Sequence, residues 1–308
     1  MGAGQGVMGP GYGAARPEYG AAGGGQYPPR YAGRGLRLVW IYPDLLSTYG
    51  DRGNLLVLER RARLRGMPVE VLLVDSGQPV PPDGDIYLMG GGEDLPQVLA
   101  ARRLRADGGL AAAVRRGAVL FAVCAGYQVI GRLFPDTDGR PRPGVGLLDV
   151  TTEKGTTRRA VGEILTDASG SLNLLGTPLR PPTSAPTGKS RTRRVGRTSP
   201  ELLTGFENHS GVSRVGEGAI PLGRVLAGVG NGGGSDSDGA ICGRVIGTYM
   251  HGPVLARNPA LADAILSMVS GESLEPLDDE EEDALRADRL AALRPTRRLN
   301  LGRAPRRA

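Results

Sequence analysis

Side chains that act as nucleophiles, bases or metal ligands are scarce in this chain of 308 residues, which has two cysteines and two histidines. Cys124 and Cys242 are too few for a disulfide framework. His209 and His251 lack the paired ligand spacing of a zinc site, so we expect no metal. The default for such a composition is a cytoplasmic protein with reduced thiols.

Long apolar runs and aromatic residues are also lacking. No run reaches the length of a membrane span, and the start of the chain does not show the charged-then-apolar pattern of a signal sequence. The net charge is +6, but the arginines are scattered and aromatic residues make up only 4% of the chain. Because base-stacking platforms are therefore few, we expect no nucleic-acid partner.

Three segments have compositions that do not build a core. Residues 1–34 are dominated by Gly, Ala, Pro and Tyr, which predicts a disordered arm. Residues 178–200, rich in Pro, Thr, Ser and Arg, predict a flexible surface insertion. Residues 271–308 carry the acidic run Asp278–Asp283 and a basic end, which predicts a charged, solvated tail. One folded domain, residues 35–270, remains.

A nucleotide-binding loop is missing as well. The segment Thr187-Gly188-Lys189-Ser190 imitates the end of a phosphate-binding loop, but Thr183 stands where the first glycine belongs and Pro186 interrupts the loop. We therefore expect this chain to bind no ATP or other cofactor itself.

Apolar strands alternate with helical segments in the first half of the domain. The strands predicted there are Leu36–Ile41, Val69–Val74, Ile86–Met89 and Ala118–Val123, and the helices are Asn54–Arg65 and about Leu95–Arg116. Later strands are expected at Val161–Leu165, Arg224–Val229 and Arg244–Tyr249, followed by a helix from about Pro259 to Ser270. This alternation predicts an α/β fold with a mostly parallel central sheet flanked by helices.

The stretch Phe121–Gln128 is typical of a nucleophile elbow. An apolar strand runs into Cys124, and the small residues Ala125 and Gly126 follow it at the start of a helical segment. A sharp strand-to-helix turn lifts such a side chain out of the sheet, and the helix N-terminus favours the thiolate. The alternative is an inert cysteine in a core strand, since free cysteines are often buried.

A cysteine nucleophile needs a base and donors for the developing oxyanion. His251 ends a predicted strand, on the sheet edge where Cys124 is expected, and is therefore the better general base. His209 is interpreted as a hydrogen-bonded turn or loop residue that can border the same cleft. The amide of Ala125 and an amide of Gly91 or Gly92 are candidate oxyanion donors, although Gly90–Gly92 also suits a simple tight turn.

Several spaced motifs together resemble a known family. Cys124-x-Gly126-x-Gln128, Gly90-Gly91-Gly92-x-Asp94 and Tyr249–Gly252 resemble class I glutamine amidotransferases of the cobyric acid synthase type. The loop Ser47–Asn54 and the segment Phe206–Gly211 narrow the resemblance to the small glutaminase subunits, of the GatD type, of lipid II isoglutaminyl synthases. The similarity extends over about residues 36–270 and leaves both tails unmatched.

The resemblance implies a reaction and roles for its residues. Cys124 would attack the side-chain amide of L-glutamine, His251 would relay the proton, and ammonia would leave as a glutamyl thioester forms. Gln128 would lie in the substrate site. An arginine just upstream of Gly162 would hold the substrate carboxylate; Arg159 fits this position best and Arg158 is the alternative.

Two departures from the family pattern are visible. Ala122 replaces a glycine two residues before Cys124, a small change that should preserve the turn. Pro253 stands two residues after His251, where the ordinary triad has a glutamate. The resemblance implies that a partner subunit can supply this carboxylate, and we accordingly expect the isolated chain to be a poor glutaminase.

The resemblance also implies a heterodimeric partner. This would be a Mur-ligase-like, ATP-binding subunit that holds lipid II at the inner membrane face and amidates its stem-peptide D-glutamate. A glutaminase for cobyrinate amidation is the first alternative, although there the amidase domain usually follows an ATP-binding domain on one chain. A catalytically inactive amidotransferase-like scaffold or redox-sensing module is the second.

Overall fold

The computed structural model describes residues 34–156, 158–175 and 201–293. Residues 1–33 of the arm predicted at 1–34, and the predicted insertion at 178–200 with Thr187–Ser190, lie outside the described residues. Along this part of the chain the strands are β1 (Leu36–Ile41), β2 (Val69–Val74), β3 (Ile86–Met89), β4 (Val119–Val123), β5 (Leu133–Pro135), β6 (Pro141–Pro143), β7 (Val150–Lys154), β8 (Ala160–Asp167), β9 (Leu202–His209), β10 (Gly211–Val215), β11 (Gly223–Ala227), β12 (Ser237–Asp238), β13 (Ala240–Cys242) and β14 (Val245–Thr248). The helices are α1 (Arg52–Leu64), α2 (Asp94–Asp107), α3 (Gly109–Arg115), α4 (Ala125–Ile130), α5 (Ser169–Leu175), α6 (Val254–Arg257), α7 (Pro259–Ser270) and α8 (Glu280–Ala292).

The central sheet has six strands in the order β13-β14-β4-β3-β1-β2. All neighbours run parallel except β13, which is antiparallel to β14. Every residue of β3 and β4 is buried, because helices cover both faces of a parallel sheet and its strands become continuously apolar. The predicted α/β class with a mostly parallel central sheet is confirmed.

Two four-stranded sheets, β10-β7-β5-β6 and β12-β11-β8-β9, lie beyond this central layer. The antiparallel pairing of β8 with β9 sets Val161 opposite Asn208. Because the two strands are antiparallel, with Ala160 opposite His209, the segment before β8 lies close to the end of β9. The strand predicted at residues 224–229 ends earlier, at Ala227, before Gly228 with its positive φ of 103°.

The single helix predicted at about residues 95–116 is two helices. Gly108 ends α2 in the left-handed conformation, with φ 71°, and α3 begins at the next residue. Glycine adopts this conformation without a Cβ clash, which makes it a frequent helix terminator. No helix among the described residues is long and apolar enough to cross a membrane.

The charged tail contains a helix that the sequence analysis did not predict, α8, most of whose residues are exposed. Arg286 and Leu290 of this helix are buried, and the Arg286 guanidinium donates to the carbonyl of Leu202. Arg61 of α1 binds Asp279, just before α8, with Nη2 and Oδ2 2.9 Å apart. The acidic run suggested solvent exposure, but acidic residues in a first helical turn also stabilise the helix through its dipole.

Candidate active site

Cys124 lies on the predicted strand-to-helix turn, between β4 and α4. Its backbone has φ 50° and ψ −106°, a conformation that residues with a Cβ rarely adopt. Its N–H donates to the carbonyl of Thr248 at 2.8 Å, and the N–H of Gly126 donates to that of Gly90 at 3.1 Å. A Cβ on Gly126 would lie 2.9 Å from the Gly90 oxygen, so the turn requires glycine there.

His251 is brought to the same edge of the sheet by β14, the parallel neighbour of β4. Its backbone N–H donates to Phe206 at 2.8 Å, and its side chain is fully buried. The ring nitrogen Nδ1 lies 3.1 Å from Oδ2 and 3.2 Å from Oδ1 of Asp51. A carboxylate can only accept a hydrogen bond, so Nδ1 carries the proton and Nε2 is the atom available toward Cys124.

Asp51 was not among the predicted site residues. It lies between β1 and α1, is fully buried, and accepts a second hydrogen bond from the N–H of Gly91 at 2.7 Å. The expectation that this chain lacks a carboxylate for His251 is therefore wrong. Two signals were available: Asp51 lies in the motif loop Ser47–Asn54, and it follows β1, whose carboxyl end points to the same edge of the sheet as Cys124.

An acidic residue at position 253 is not required, because Asp51 supplies the carboxylate beside His251. Pro253 precedes α6 and packs on Gly53, where an added Cβ would come within 2.2 Å of the proline Cγ. The close contact brings the start of α1, and with it Asp51, next to the segment that carries His251.

The charge state of His251 follows from these neighbours. Burial lowers the pKa of the imidazole, but the hydrogen bond to Asp51 and the neighbouring Asp51 carboxylate and Cys124 sulfur outweigh burial and raise the pKa to about 10. The site therefore favours a positively charged imidazole between a carboxylate and the Cys124 sulfur.

A pocket opens beside Cys124. It is lined by the cationic side chains Lys154 and Arg159, the acidic side chains Glu93, Asp94 and Asp136, and further residues that include Tyr49, Gly92, Gln97, Ala125, Gln128, Asn208 and His209. A pocket with charges of both signs suits a small zwitterion, in which opposite charges lie a few ångströms apart.

The residues that line this pocket distinguish between the candidates for the carboxylate-binding arginine and for the oxyanion donor. Arg159 lines it, whereas Arg158 does not. Gly92 and Ala125 also line it, while the N–H of Gly91 is engaged by Asp51. Of the two candidate glycines, Gly92 is thus the one placed beside Cys124 with its amide not committed to the carboxylate.

Gln128 lines the pocket but its amide is held by protein groups. Its Oε1 accepts from Gln97 at 2.7 Å, and its Nε2 donates to the hydroxyl of Tyr249 at 3.0 Å. Gln97, which sequence reasoning missed, therefore fixes one side of the elbow helix. The glutamine pair shapes the pocket wall rather than presenting a free amide.

His209 is the last residue of β9 and not the turn or loop residue that we expected, although it does border the pocket. Its ring stacks on Tyr249, with centroids 3.7 Å apart and an interplanar angle of 11°, and Nδ1 donates to the carbonyl of Gly211 at 3.1 Å. Its Nε2 lies 3.7 Å from Oε2 of Glu207, too far for a hydrogen bond, whereas Nδ1 of His251 is hydrogen-bonded to Asp51 at 3.1 Å. Within the described ranges no group of three or more His, Cys, Asp or Glu side chains is arranged to hold a metal ion.

A cysteine on a strained elbow and a buried His–Asp pair thus lie at one edge of the parallel sheet of an α/β protein. Residues 37–259 match the model of the CobB/CobQ-like glutamine amidotransferase domain. The chain belongs to this family of glutamine amidotransferases.

Within this family, the chain is similar to two kinds of curated protein. The chain is 29% identical to the lipid II isoglutaminyl synthase (glutamine-hydrolyzing) subunit GatD of Staphylococcus aureus, over 85% of this chain and 97% of that protein. It is also 29% identical to the subunit GatD of Streptococcus pneumoniae, over 77% and 80% of the two chains. With the cobyric acid synthase of Sphingopyxis alaskensis the identity is 30%, over 65% of this chain but only 35% of that protein.

Proposed function

We propose that this chain is the glutaminase subunit of a lipid II isoglutaminyl synthase. The proposal depends above all on the Cys124–His251–Asp51 arrangement beside a pocket that contains Arg159. Support for the GatD role comes from the relatives, since the similarity to the Staphylococcus protein extends over 97% of its length.

In the first step, glutamine binds with its side-chain amide beside the Cys124 sulfur, which attacks the carbonyl carbon. Asp51 holds Nδ1–H of His251 and so directs Nε2 toward the sulfur. The N–H groups of Ala125 and Gly92 stabilise the developing oxyanion. His251 gives its proton to the departing nitrogen, and ammonia leaves while a glutamyl thioester forms.

In the second step, water attacks the thioester. Neutral His251 takes a proton from this water, the carbon–sulfur bond breaks, and glutamate leaves as the thiolate and imidazolium pair is restored. Throughout, Arg159 holds the α-carboxylate of the substrate, because its planar guanidinium binds a carboxylate through two parallel hydrogen bonds.

The ammonia would pass to a Mur-ligase-like partner in a cytoplasmic heterodimer. That partner would bind ATP and lipid II at the inner membrane face and amidate the D-glutamate of the stem peptide. The catalytic carboxylate need not come from this partner, because Asp51 already lies at His251. The chain needs no cofactor for glutamine hydrolysis.

The test is a paired assay with the full chain. Glutamate and ammonia release from glutamine should be measured first, with Cys124→Ala as the inactive control. The chain should then be combined with the ATP-binding subunit that co-purifies from its native cell, with lipid II and ATP, and the amidated stem peptide followed by mass spectrometry. Glutamine hydrolysis without amidation of lipid II would support the glutaminase activity and refute lipid II as the ammonia acceptor.

Cobyrinate amidation is the second candidate, on the observation that cobyric acid synthases share 30% identity with this chain. The match spans only about a third of those proteins, whereas it spans nearly all of the GatD subunit. Replacing lipid II by cobyrinate in the same assay distinguishes the two acceptors. An inactive scaffold is the outcome if Cys124 consumes no glutamine in either assay.

A further inference from the structure

Among the described residues, Asn208 holds the Arg159 guanidinium. Its Nε–H donates to Oδ1 of Asn208 at 2.6 Å, and Nη2 donates to the backbone carbonyl of the same residue at 3.1 Å. Nε and Nη2 form one fork of the guanidinium, so the opposite fork, Nη1 with the second hydrogen of Nη2, faces away from Asn208. Asn208 thus fixes the plane of the group and leaves a free edge for a carboxylate.

The orientation of the Asn208 amide is determined by its partners. Arginine can only donate, so the atom facing Nε is the oxygen, and Nδ2 must point the other way. There Nδ2 donates to the hydroxyl of Tyr49 at 2.7 Å. One amide therefore links the predicted carboxylate site to Tyr49.

Tyr49 leads from that amide to the catalytic histidine. Its ring meets the His251 ring edge-on, with centroids 4.8 Å apart, and its backbone has a positive φ of 57°. Tyr49 is also 46% exposed, whereas the His251 side chain that it contacts is fully buried. A non-glycine residue held at positive φ costs free energy and is often kept for function.

We propose that Asn208 and Tyr49 are positioning residues that make the site specific for amides bearing a free α-carboxylate. Asn208 holds Arg159 in the orientation that binds this carboxylate. Tyr49, which accepts a hydrogen bond from Asn208 and packs its ring on His251, fixes the position of this arginine relative to the catalytic histidine. A substrate whose carboxylate is seated on Arg159 thereby has its amide at the correct depth for Cys124. This inference rests on the proposed glutaminase function, in which Arg159 binds the carboxylate.

The test uses Asn208→Ala and Tyr49→Phe in the full chain. Asn208→Ala removes the side-chain acceptor for Arg159 and the donor to Tyr49, whereas Tyr49→Phe removes only the hydroxyl link. The matched control is Val161→Ala, because Val161 is the exposed cross-strand partner of Asn208 and does not line the pocket. We expect Asn208→Ala to raise the glutamine KM about tenfold with kcat within about threefold of wild type, and Tyr49→Phe to do the same more weakly. The control should match wild type.

Inactivation of Cys124 gives a readout that a general loss of structure would not. The electrophile 6-diazo-5-oxo-L-norleucine carries an α-carboxylate, whereas iodoacetamide does not. Asn208→Ala should slow inactivation by the first about tenfold and leave the second unchanged. Equal slowing of both reagents, or an unchanged KM in a folded Asn208→Ala protein, would overturn the inference.

The remaining outcomes are also decisive. If Asn208→Ala does not fold, Tyr49→Phe answers the same question, since it keeps the aromatic ring and leaves the hydrogen bonds between Asn208 and Arg159 in place. A Tyr49→Phe variant with wild-type KM and wild-type selectivity between the two electrophiles would then contradict the link. If wild-type protein neither hydrolyses glutamine nor reacts at Cys124 with either reagent, the proposed function itself fails and the inference fails with it.

Discussion

Nδ1 of His251 lies 3.1 Å from Oδ2 of Asp51, and both side chains are fully buried. The two residues are 200 positions apart in the chain. They meet because β1 and β14 end at the same edge of one sheet, with β3 and β4 between them. The carboxylate fixes the imidazole tautomer, which is the role of the third member of a catalytic triad.

Asp51→Asn should lower the kcat of glutamine hydrolysis by roughly 10²–10⁴-fold, because an amide at this position can stabilise the wrong tautomer of His251 and cannot balance its positive charge. Steady-state assays of the isolated chain measure this. Asp44→Asn is the control, since Asp44 lies on the same loop, is exposed and binds Ser76 instead. Wild-type turnover in Asp51→Asn would show that another carboxylate serves His251.

The stability of the protein should depend on pH through His251. Its pKa rises from the ordinary 6.5 to about 10 in the folded state, despite the opposing effect of burial, through the hydrogen bond to Asp51 and the charges of Asp51 and Cys124. The folded state therefore holds a proton that the unfolded state loses above pH 6.5. The resulting stabilisation is complete below pH 6.5 and is lost as pH rises through about 10.

Urea unfolding of wild-type protein and Asp51→Asn across this pH range measures the effect, and the gap between their free energies of unfolding should shrink as pH rises. An NMR titration of the imidazoles gives the pKa directly, because the chain has only two histidines and His209→Gln assigns them. A His251 titration at or below pH 6.5 would contradict the expected charge state.

Substitutions of Cys124 should separate activity from backbone strain. Cys124→Ala and Cys124→Gly should both abolish glutamine hydrolysis, since each lacks the nucleophile. The φ of 50° at this residue is unfavourable for alanine and accessible to glycine. Cys124→Gly should therefore be more stable to urea than Cys124→Ala, by about 1 kcal/mol. Cys242→Ala should keep wild-type turnover, and a glycine variant less stable than the alanine variant would refute the strain.

Arg159→Ala should raise the glutamine KM and leave the thermal midpoint close to that of wild type. The reason is that an exposed side chain proposed to bind the substrate carboxylate acts on substrate binding. Arg158→Ala is the neighbouring control, as Arg158 does not line the pocket. Michaelis–Menten curves for the two variants show which of the two arginines binds the substrate carboxylate. A larger KM change in Arg158→Ala would move the clamp by one residue.

Deletion of residues 279–308 should lower the thermal midpoint by roughly 5 °C or more. The deletion removes Asp279 from the buried Arg61 and exposes the surface that Arg286 and Leu290 cover. Deletion of residues 1–30 is the comparison, since the composition of that arm predicts no effect on folding or activity. Calorimetry that finds equal midpoints for the chain with and without residues 279–308 would show that α8 contributes nothing to stability.

Local features of the site could be predicted from the sequence because they depend on a few adjacent residues. The elbow at Cys124 requires an apolar strand, small residues and a helical segment in succession, and all three are visible in Phe121–Gln128. Alternation of strands and helices likewise predicts the parallel sheet, since β-α-β units have few alternatives. The break at Gly108 was missed although the dipeptide Gly108-Gly109 is a turn signal, because helix-compatible sequence stands on both sides of it.

Only the tertiary structure decided which distant groups meet. The order β14-β4-β3-β1 carries Asp51 to His251, and the β8–β9 register carries Arg159 to Asn208. No spacing in the chain encodes either contact, because strand order depends on the packing of the whole core. Residues near Cys124 thus determined that this protein has a presented thiol, and the packing of the sheets determined that His251, Asp51 and Arg159 lie around it.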